Sequence, residues 1–110
     1  MNASVDLTNL RSMTDGDAEL EKALFEEFMV SFEKGIKGLQ ECCGENMAEA
    51  WRKHSHALKG IALNLGAGKL GELCKKAQDD HLAAAGAKDS ILRGIEEEYK
   101  VVKEFLQKVA

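Results

Sequence analysis

One histidine, His56, is surrounded by cations in a pattern that suits phosphoryl chemistry. A helix turns about 100° per residue, so Arg52, Lys53 and Lys59 fall within about 60° of the direction of His56, and Gly60 lies one turn ahead. An exposed imidazole is mostly neutral at pH 7 and can act as a nucleophile. Neighbouring cations favour the neutral ring and would stabilise a phosphoryl group carried on it.

The glycine beside this histidine indicates that something large approaches the ring. A glycine in a helix interior costs about 1 kcal/mol relative to alanine, and Gly60 would clear space next to His56. The window 50–71 holds four cations and no carboxylate, although the chain has a net charge of −4. Phosphoryl transfer needs in-line access and charge compensation. This face would therefore suffice as a phosphoryl acceptor.

The opposite side of the same helix is predicted to pack into a core. It carries an apolar stripe of the kind that a bundle buries, made of Met47, Ala50, Trp51, His54, Leu58, Ile61, Ala62 and Leu65. His56 is therefore expected at the centre of the solvent face. His54 is expected at the edge of the core, and His81 near a helix end, and neither is assigned a function.

The composition of the whole chain predicts a helical protein. It has 110 residues, no proline and six aromatic residues, with 45% hydrophobic and 31% charged residues. We predict a lead-in helix and four long ones, over about 6–12, 17–42, 46–65, 67–84 and 89–108. The helix starts are predicted from Asp17, Asn46 and Asp89 or Ser90, and the ends from Gly44, Gly66 and Gly86.

Short connections between these helices make sequential helices antiparallel neighbours. The expected fold is all-α, an antiparallel up-down four-helix bundle with a short N-terminal helix, forming one domain over 1–110. Gly68 and Gly71 are expected to ease close helix packing. Cys42, Cys43 and Cys74 are expected as reduced thiols, because adjacent cysteines on a helix suit neither a disulfide nor a zinc site.

Composition and motifs exclude several classes of function. The negative net charge gives no field that would attract nucleic acid or an anionic membrane. The first residues lack the features of a signal peptide, and no apolar run is long enough to span a bilayer. The sequence has no P-loop, no glycine-rich nucleotide loop and no cluster of metal ligands. We expect a cytoplasmic protein without a metal or cofactor of its own.

A family resemblance starts at the histidine. The run His56-Ala57-Leu58-Lys59-Gly60, followed by Leu65-Gly66-Ala67, Leu70 and Cys74, resembles the signature of histidine phosphotransfer (HPt) domains of bacterial two-component phosphorelays. That signature reads roughly His-x-Leu-Lys-Gly, four variable residues, Leu-Gly-Ala, x-x-Leu and x-x-x-Cys. The resemblance implies that His56 is the phosphoacceptor, Lys59 the cation beside the phosphate, and Gly60 the clearance for a receiver aspartate.

The resemblance also implies the partners. A monomeric phosphocarrier of this family would take a phosphoryl group from a receiver-domain aspartate, in a hybrid sensor histidine kinase for example. It would pass the group to the aspartate of another response regulator. The receivers would supply Mg²⁺, and the chain would have no kinase activity of its own.

The partner is expected to dock around His56. The residues expected to contact it are Arg52, Lys53, Leu63, Ala67 and Lys69. Surplus apolar residues of the first long helix, together with Gly35 and Gly38, are expected to extend this docking face.

Two other functions remain open from the sequence. The chain could be the phosphotransfer domain of a larger hybrid sensor or chemotaxis-type kinase. A function of another class, a helical adaptor that is never phosphorylated, would share the bundle but would not use His56.

Overall fold

The computed structural model describes residues 5–44 and 46–109, which form five α-helices. These are α1 (Thr8–Thr14), α2 (Ala18–Glu41), α3 (Ala48–Leu65), α4 (Gly68–Asp79) and α5 (Ala85–Val109). Each of the four longer helices packs against the next along the chain, and α5 packs back on α2. The predicted all-α bundle with a short N-terminal helix is confirmed.

Local hydrogen bonds set the first two helix starts. The Asp6 carboxylate accepts hydrogen bonds from the backbone N–H and the hydroxyl of Thr8, at 3.0 and 2.6 Å, just before α1. The Asp17 carboxylate accepts the N–H of Leu20 at 3.1 Å and caps α2, as predicted. Each of these carboxylates accepts an N–H group that the first turn of a helix leaves free.

The turn between α3 and α4 requires a glycine. Gly66 has a φ of +98°, and a Cβ there would collide with the carbonyl oxygen of Asp6. The N–H of Asp6 donates to the carbonyl of Gly66 at 2.8 Å, which ties the N-terminal segment across this turn. The predicted helix end at Gly66 is confirmed, and the turn makes α3 and α4 a tight antiparallel hairpin.

The connection between α4 and α5 was predicted wrongly. The helix α4 ends at Asp79 rather than at residue 84, and α5 begins at Ala85, so that Gly86 lies inside α5 rather than at a helix end. Asp89 and Ser90 consequently fall in the second turn of α5. The alanine-rich stretch 83–87 has high helix propensity, and it extends α5 backwards past these capping residues.

The connection between α2 and α3 also differs from its prediction. Gly44 does not have a positive φ and so is not a left-handed cap. The left-handed residue is Asn46, with a φ of 65°, and the N-cap of α3 is Met47, whose side chain makes no capping hydrogen bond. Asparagine tolerates this conformation better than most residues.

The core is built around a few large side chains. Phe28, Phe32 and Tyr99 form an aromatic cluster between α2 and α5, with ring centroids 5.1 to 6.1 Å apart. Trp51 is completely buried in α3, and its indole N–H donates to the carbonyl of Ala77 in α4 at 2.7 Å. This bond satisfies the one polar atom that the tryptophan brings into the core.

The three cysteines are free thiols, as predicted. Cys42 and Cys74 are buried, and burial raises the pKa of the Cys74 thiol to about 12. A thiol with a raised pKa is unreactive at neutral pH, so Cys74 is a small core residue.

The bundle has four helices along only part of its length. The helix α4 has 12 residues and α5 has 25. Lys69 in the first turn of α4 reaches Glu98 of α5 at 3.7 Å, so α4 covers α5 only up to about this point. Beyond it, α5 continues along α2, where Tyr99 stacks on Phe32. The molecule is accordingly elongated, 45 × 24 × 18 Å.

None of the helices in the described residues is both long and apolar enough to cross a membrane.

Candidate functional site

His56 lies exposed on α3, on the side away from the core. Its neighbours Trp51 and Leu58, on the opposite side of the helix, are completely buried. The predicted division of α3 into an apolar stripe and a solvent face is thereby confirmed. Met47, which is 41% exposed, and the exposed His54 are exceptions in the stripe.

A glutamine of the neighbouring helix holds the imidazole. The Nδ1 atom of His56 lies 3.4 Å from the Oε1 atom of Gln78, in the last turn of α4. An amide oxygen can only accept a hydrogen bond, so the contact favours the tautomer with the proton on Nδ1. The lone pair of the neutral ring is then on Nε2, the atom farther from α4. This is the nitrogen that an incoming electrophile would meet.

Gln78 was not predicted from the sequence, although a signal for it was present. His56 lies ten positions before Gly66, and Gln78 lies eleven positions after Ala67. In a tight antiparallel hairpin, residues at equal distances from the turn face each other. With Gly66 as the turn, His56 lies ten positions before it and Gln78 twelve after it, so the hairpin brings the two residues to within about one helical turn of the same level.

Open space surrounds the glycine one turn ahead of the histidine. A Cβ added at Gly60 would meet no other atom within 4 Å. Gly60 is therefore not needed for helix packing, and the surface beside His56 stays free of side chains. The role of Gly60 in giving a partner access to His56 stays a prediction.

The cations around His56 are not equivalent. Arg52 makes a two-pronged ion pair with Glu49, with N–O distances of 2.6 and 2.9 Å, and this contact lowers the pKa of the Glu49 carboxyl. Lys53 is exposed and makes no ion pair with the described residues. The sequence did not foresee the pairing of Arg52, because Glu49 lies just outside the carboxylate-free window.

Lys59 lies close to the end of α4. The pKa of Asp79 is lowered, first by the hydrogen bond from Lys75 and more weakly by the positive charges of Lys59 and His81. Lys59 is half-buried and makes no ion pair with the described residues. Its ammonium group is therefore free to meet an anion near His56.

Three of the residues predicted to contact a partner differ in their exposure and contacts. Leu63 is 52% exposed and covers Gly71, where an added Cβ would come within 2.5 Å of its Cδ2 atom. Lys69 has a side chain that is 67% exposed and pairs with the buried Glu98. Ala67 is completely buried, so its predicted contact with a partner is wrong. It lies in the turn of the hairpin, which faces the core.

The two glycines assigned to the docking face have another role. A Cβ at Gly35 would come within 2.9 Å of the Cγ atom of Leu58, and one at Gly38 within 2.6 Å of the Cε1 atom of the His54 ring. Both glycines let α3 approach α2 closely. His54 is exposed but rests against Gly38, which agrees with its predicted place at the edge of the core.

The predicted packing role of Gly71 is confirmed, whereas that of Gly68 is wrong. A Cβ at Gly68 would meet nothing within 4 Å. Gly68 is the first residue of α4, where the helix has only just left the turn.

A mainly apolar groove lies further along α3, towards α1. It measures about 310 Å³ and lies between α1, α2 and α3. Its lining is Leu10, Met13, Leu24, Glu27, Phe28, Ser31, Ile61, Asn64 and Leu65. Ile61 and Asn64 continue α3 beyond Gly60, so the groove opens about one to two turns from His56.

Within residues 5–44 and 46–109, no group of three or more histidine, cysteine, aspartate or glutamate side chains is arranged to hold a metal ion.

Comparison with known proteins gives one strong structural match. A scan against protein-family models and a search of curated proteins both find no match. The crystal structure of histidine-containing phosphotransfer protein B from Pseudomonas aeruginosa PAO1 is similar over 98% of this chain and 95% of that one, with a TM-score of 0.86 and 20% sequence identity. The chain therefore has the histidine-phosphotransfer fold that the resemblance around His56 implied.

Proposed function

We propose that this protein is a histidine phosphocarrier that accepts a phosphoryl group on His56 from a receiver-domain aspartate and passes it to the aspartate of another receiver. The arrangement around His56 carries the proposal. His56 is exposed, its Nδ1 faces the amide oxygen of Gln78, and the surface above Gly60 is open. The fold shared with the Pseudomonas phosphotransfer protein supports it.

The chemistry is an in-line displacement at phosphorus. The Nε2 lone pair of His56 attacks the phosphorus of an aspartyl phosphate, and the bond between phosphorus and the carboxylate oxygen breaks. The aspartate leaves as a carboxylate with that electron pair. The ring keeps its proton on Nδ1 and becomes positively charged, so its hydrogen bond to the Gln78 oxygen strengthens as the transfer proceeds.

The second transfer reverses these steps. A carboxylate oxygen of the next receiver attacks phosphorus, the phosphorus–nitrogen bond breaks, and its electron pair returns to Nε2. Lys59 is the cation available to balance the negative phosphoryl oxygens during both transfers. Mg²⁺ and the other catalytic groups belong to the receivers, and the phosphocarrier contributes no kinase activity.

The partner must contact the surface of α3 around His56. The open space at Gly60 lets it approach the helix closely, and the exposed side chains of Lys53 and Leu63 are available for contact on the same helix. The apolar groove between α1, α2 and α3 is the surface on which an apolar helix face of the receiver would settle. Docking there would hold the receiver aspartate above His56.

The decisive experiment is transfer from a phosphorylated receiver. Candidate receivers are charged with radioactive acetyl phosphate, purified and incubated with the protein. We expect acid-labile, base-stable label that mass spectrometry maps to His56. The variant His56→Gln should take up no label.

Two matched controls are available, because the chain has only three histidines. His54→Gln removes an exposed histidine on the same helix, and His81→Gln removes one near the end of α4. Both should be labelled like the unchanged protein. Label that persists in His56→Gln would refute the proposal, and a failure of every receiver to transfer would favour the non-phosphorylated adaptor.

A further inference from the structure

We propose that Lys75 of α4 is a positioning residue for phosphotransfer. Its ammonium group neutralises the Asp79 carboxylate, which would otherwise hold the ammonium group of Lys59. Lys59 thereby stays free to balance the phosphoryl group on His56. This inference rests on the proposed function, in which Lys59 is the cation beside the phosphoryl oxygens.

Lys59 and Lys75 lie at the same level of the α3–α4 hairpin. The Nδ1 atom of His56 lies 3.4 Å from the Oε1 atom of Gln78, which fixes one pair of facing residues. Lys59 lies three positions after His56, and Lys75 lies three positions before Gln78. Because the two helices run antiparallel, both lysines are about 4.5 Å further along the hairpin, towards its turn.

A second pair of packed residues lies on the other side of this level. A Cβ added at Gly71 would come within 2.5 Å of the Cδ2 atom of Leu63. Leu63 lies four positions after Lys59, and Gly71 lies four positions before Lys75. The two lysines are therefore neighbours across the hairpin, with a close contact between the helices on either side of them.

The Asp79 carboxylate lies within electrostatic reach of both lysines. Its Oδ2 atom lies 2.8 Å from the Nζ atom of Lys75. The pKa of Asp79 is lowered, first by this hydrogen bond and then more weakly by the positive charges of Lys59 and His81. Lys59 makes no ion pair with the residues that the structure describes. Lys75 is therefore the partner of Asp79, and Lys59 is left free.

The balance between these charges depends on Lys75. A carboxylate that loses its partner attracts other cations more strongly, and Lys59 is already within its reach. An ion pair with Asp79 would hold Lys59 at α4, away from the Nε2 atom of His56. The uncompensated carboxylate would also repel the negative phosphoryl oxygens. Lys75 prevents both effects without contacting the phosphoryl group.

The first test is the variant Lys75→Met, which keeps the aliphatic stem and removes the charge. Single-turnover transfer from a phosphorylated receiver is measured by rapid quench at increasing receiver concentration. We expect the maximal rate constant to fall by about three- to fivefold, because an exposed ion pair with Asp79 would hold Lys59 only weakly. The receiver concentration at half-maximal rate should stay the same. A change confined to that concentration would indicate a docking role and overturn the proposal.

The double variant Lys75→Met/Asp79→Asn identifies the cause of the slower transfer. It lacks the carboxylate as well as the lysine, and it has the same net charge as the unchanged protein. Its rate constant should return to within about twofold of that of the unchanged protein. A double variant as slow as Lys75→Met would mean that the lysine acts without Asp79, and would overturn the proposal.

Lys76→Met is the matched control. The Lys76 side chain is 62% exposed, like that of Lys75, and it pairs with Asp80 at 3.2 Å. Lys76 lies about 160° around α4 from Gln78, whereas Lys75 lies about 60° from it. Lys76→Met should therefore transfer like the unchanged protein. An equal loss of rate in both variants would indicate a general charge effect and contradict the role of Lys75.

The competition for Asp79 is also measurable without a receiver. Carbon-13 NMR gives the pKa of the Asp79 carboxyl in the unchanged protein, in Lys59→Met, in Lys75→Met and in the variant with both substitutions. We expect the loss of Lys59 to raise this pKa more when Lys75 is absent than when it is present, because Lys59 then replaces Lys75 at the carboxylate. Equal increases with and without Lys75 would overturn the proposal.

The two proposals can fail separately. If no receiver transfers a phosphoryl group to the unchanged protein, the proposed function is wrong and the role of Lys75 with it. If transfer occurs and Lys75→Met keeps the full rate, only the role of Lys75 is wrong.

Discussion

At the scale of single residues, the surface around His56 depends on a glycine, which has no side chain, as well as on the side chains that surround the histidine. Gly60 lies in the middle of α3, and no internal contact requires a glycine there. Gln78, on another helix, places its amide oxygen 3.4 Å from the Nδ1 atom of His56. We expect the first feature to control what can approach the imidazole, and the second to control which of its nitrogens is available.

The substitution Gly60→Leu tests access directly. The open space should let the protein fold normally, while the added side chain projects over the acceptor surface and should slow phosphotransfer by about a hundredfold. The matched control is Gly94→Leu, because Gly94 is also helical with nothing within 4 Å of an added Cβ. Rapid-quench measurement of transfer from a receiver distinguishes the two, and equal rates for both variants would contradict the role of Gly60.

The substitution Gln78→Leu tests the orientation of the ring. Loss of the acceptor should leave the tautomers of His56 mixed, and it removes a hydrogen bond to a ring that becomes charged. We expect transfer to slow by about tenfold. Nitrogen-15 NMR of the imidazole should show the Nδ1-protonated form dominant only in the unchanged protein. Gln107→Leu, at an exposed glutamine of α5, is the control. The same tautomer ratio in the protein and in Gln78→Leu would refute this role.

At the scale of the helices, glycines set how closely α2 and α3 approach. Gly35 accommodates Leu58, a fully buried side chain that cannot move aside. The sequence analysis correctly placed Gly35 on a helix but assigned it to a docking face. Its contact with Leu58 on α3 cannot be read from the sequence of one helix. The half-buried Gly94, where an added Cβ would meet nothing within 4 Å, shows that a helical glycine can equally have no packing role.

Gly35→Ala should therefore destabilise the protein by about 1–3 kcal/mol, because the new methyl group overlaps Leu58. Gly94→Ala should have the opposite effect and raise the free energy of unfolding by about 0.5–1 kcal/mol, because alanine has the higher helix propensity. Urea unfolding measures both. A neutral or stabilising Gly35→Ala would show that α2 and α3 can separate without cost.

A hydrogen bond between α2 and α5 gives a predicted pH dependence. The Tyr99 hydroxyl donates to Glu33, and this bond, more than the one from Lys103, lowers the pKa of the Glu33 carboxyl below its ordinary value of 4.5. Because the pKa of Glu33 is lower in the folded protein than in the unfolded chain, the ionised carboxylate stabilises the fold at a pH above 4.5. This stabilisation is lost as the pH falls through the lowered pKa of the folded protein. The difference in unfolding free energy between the protein and Glu33→Gln should therefore shrink as the pH falls below 4.5. A difference that stays constant from pH 7 to pH 3 would contradict this.

Periodicity predicted the helices and their buried faces well, and their ends and pairings less well. The exposure of His56 and the turn at Gly66 followed from spacing alone. The start of α5 did not, because alanine propensity competed with the capping residues Asp89 and Ser90. Gln78 and the pairing of Arg52 with Glu49 depend on contacts that a single helix does not reveal.

At the scale of the whole molecule, the two ends of the bundle differ in construction. The hairpin of α3 and α4 carries His56 and Gln78. The remaining length of α5, from Tyr99 onward, runs beside α2 without α4. The proposed phosphoacceptor site therefore belongs to the part of the molecule with four helices.

The unequal lengths of α4 and α5 have a consequence for motion. Backbone amides open locally where few neighbouring elements hold them. The end of α5 carries the buried Tyr99, Val102 and Leu106 but has no α4 beside it, so we expect it to open more often than the hairpin. Hydrogen–deuterium exchange should be faster at Val101 and Leu106 than at Leu58 and Cys74, which lie in the four-helix part. Uniform protection would mean that the molecule opens only as a unit. If the exchange rates differ in this way, a docking partner would bind a rigid surface around His56, while the far end of α5 remains flexible.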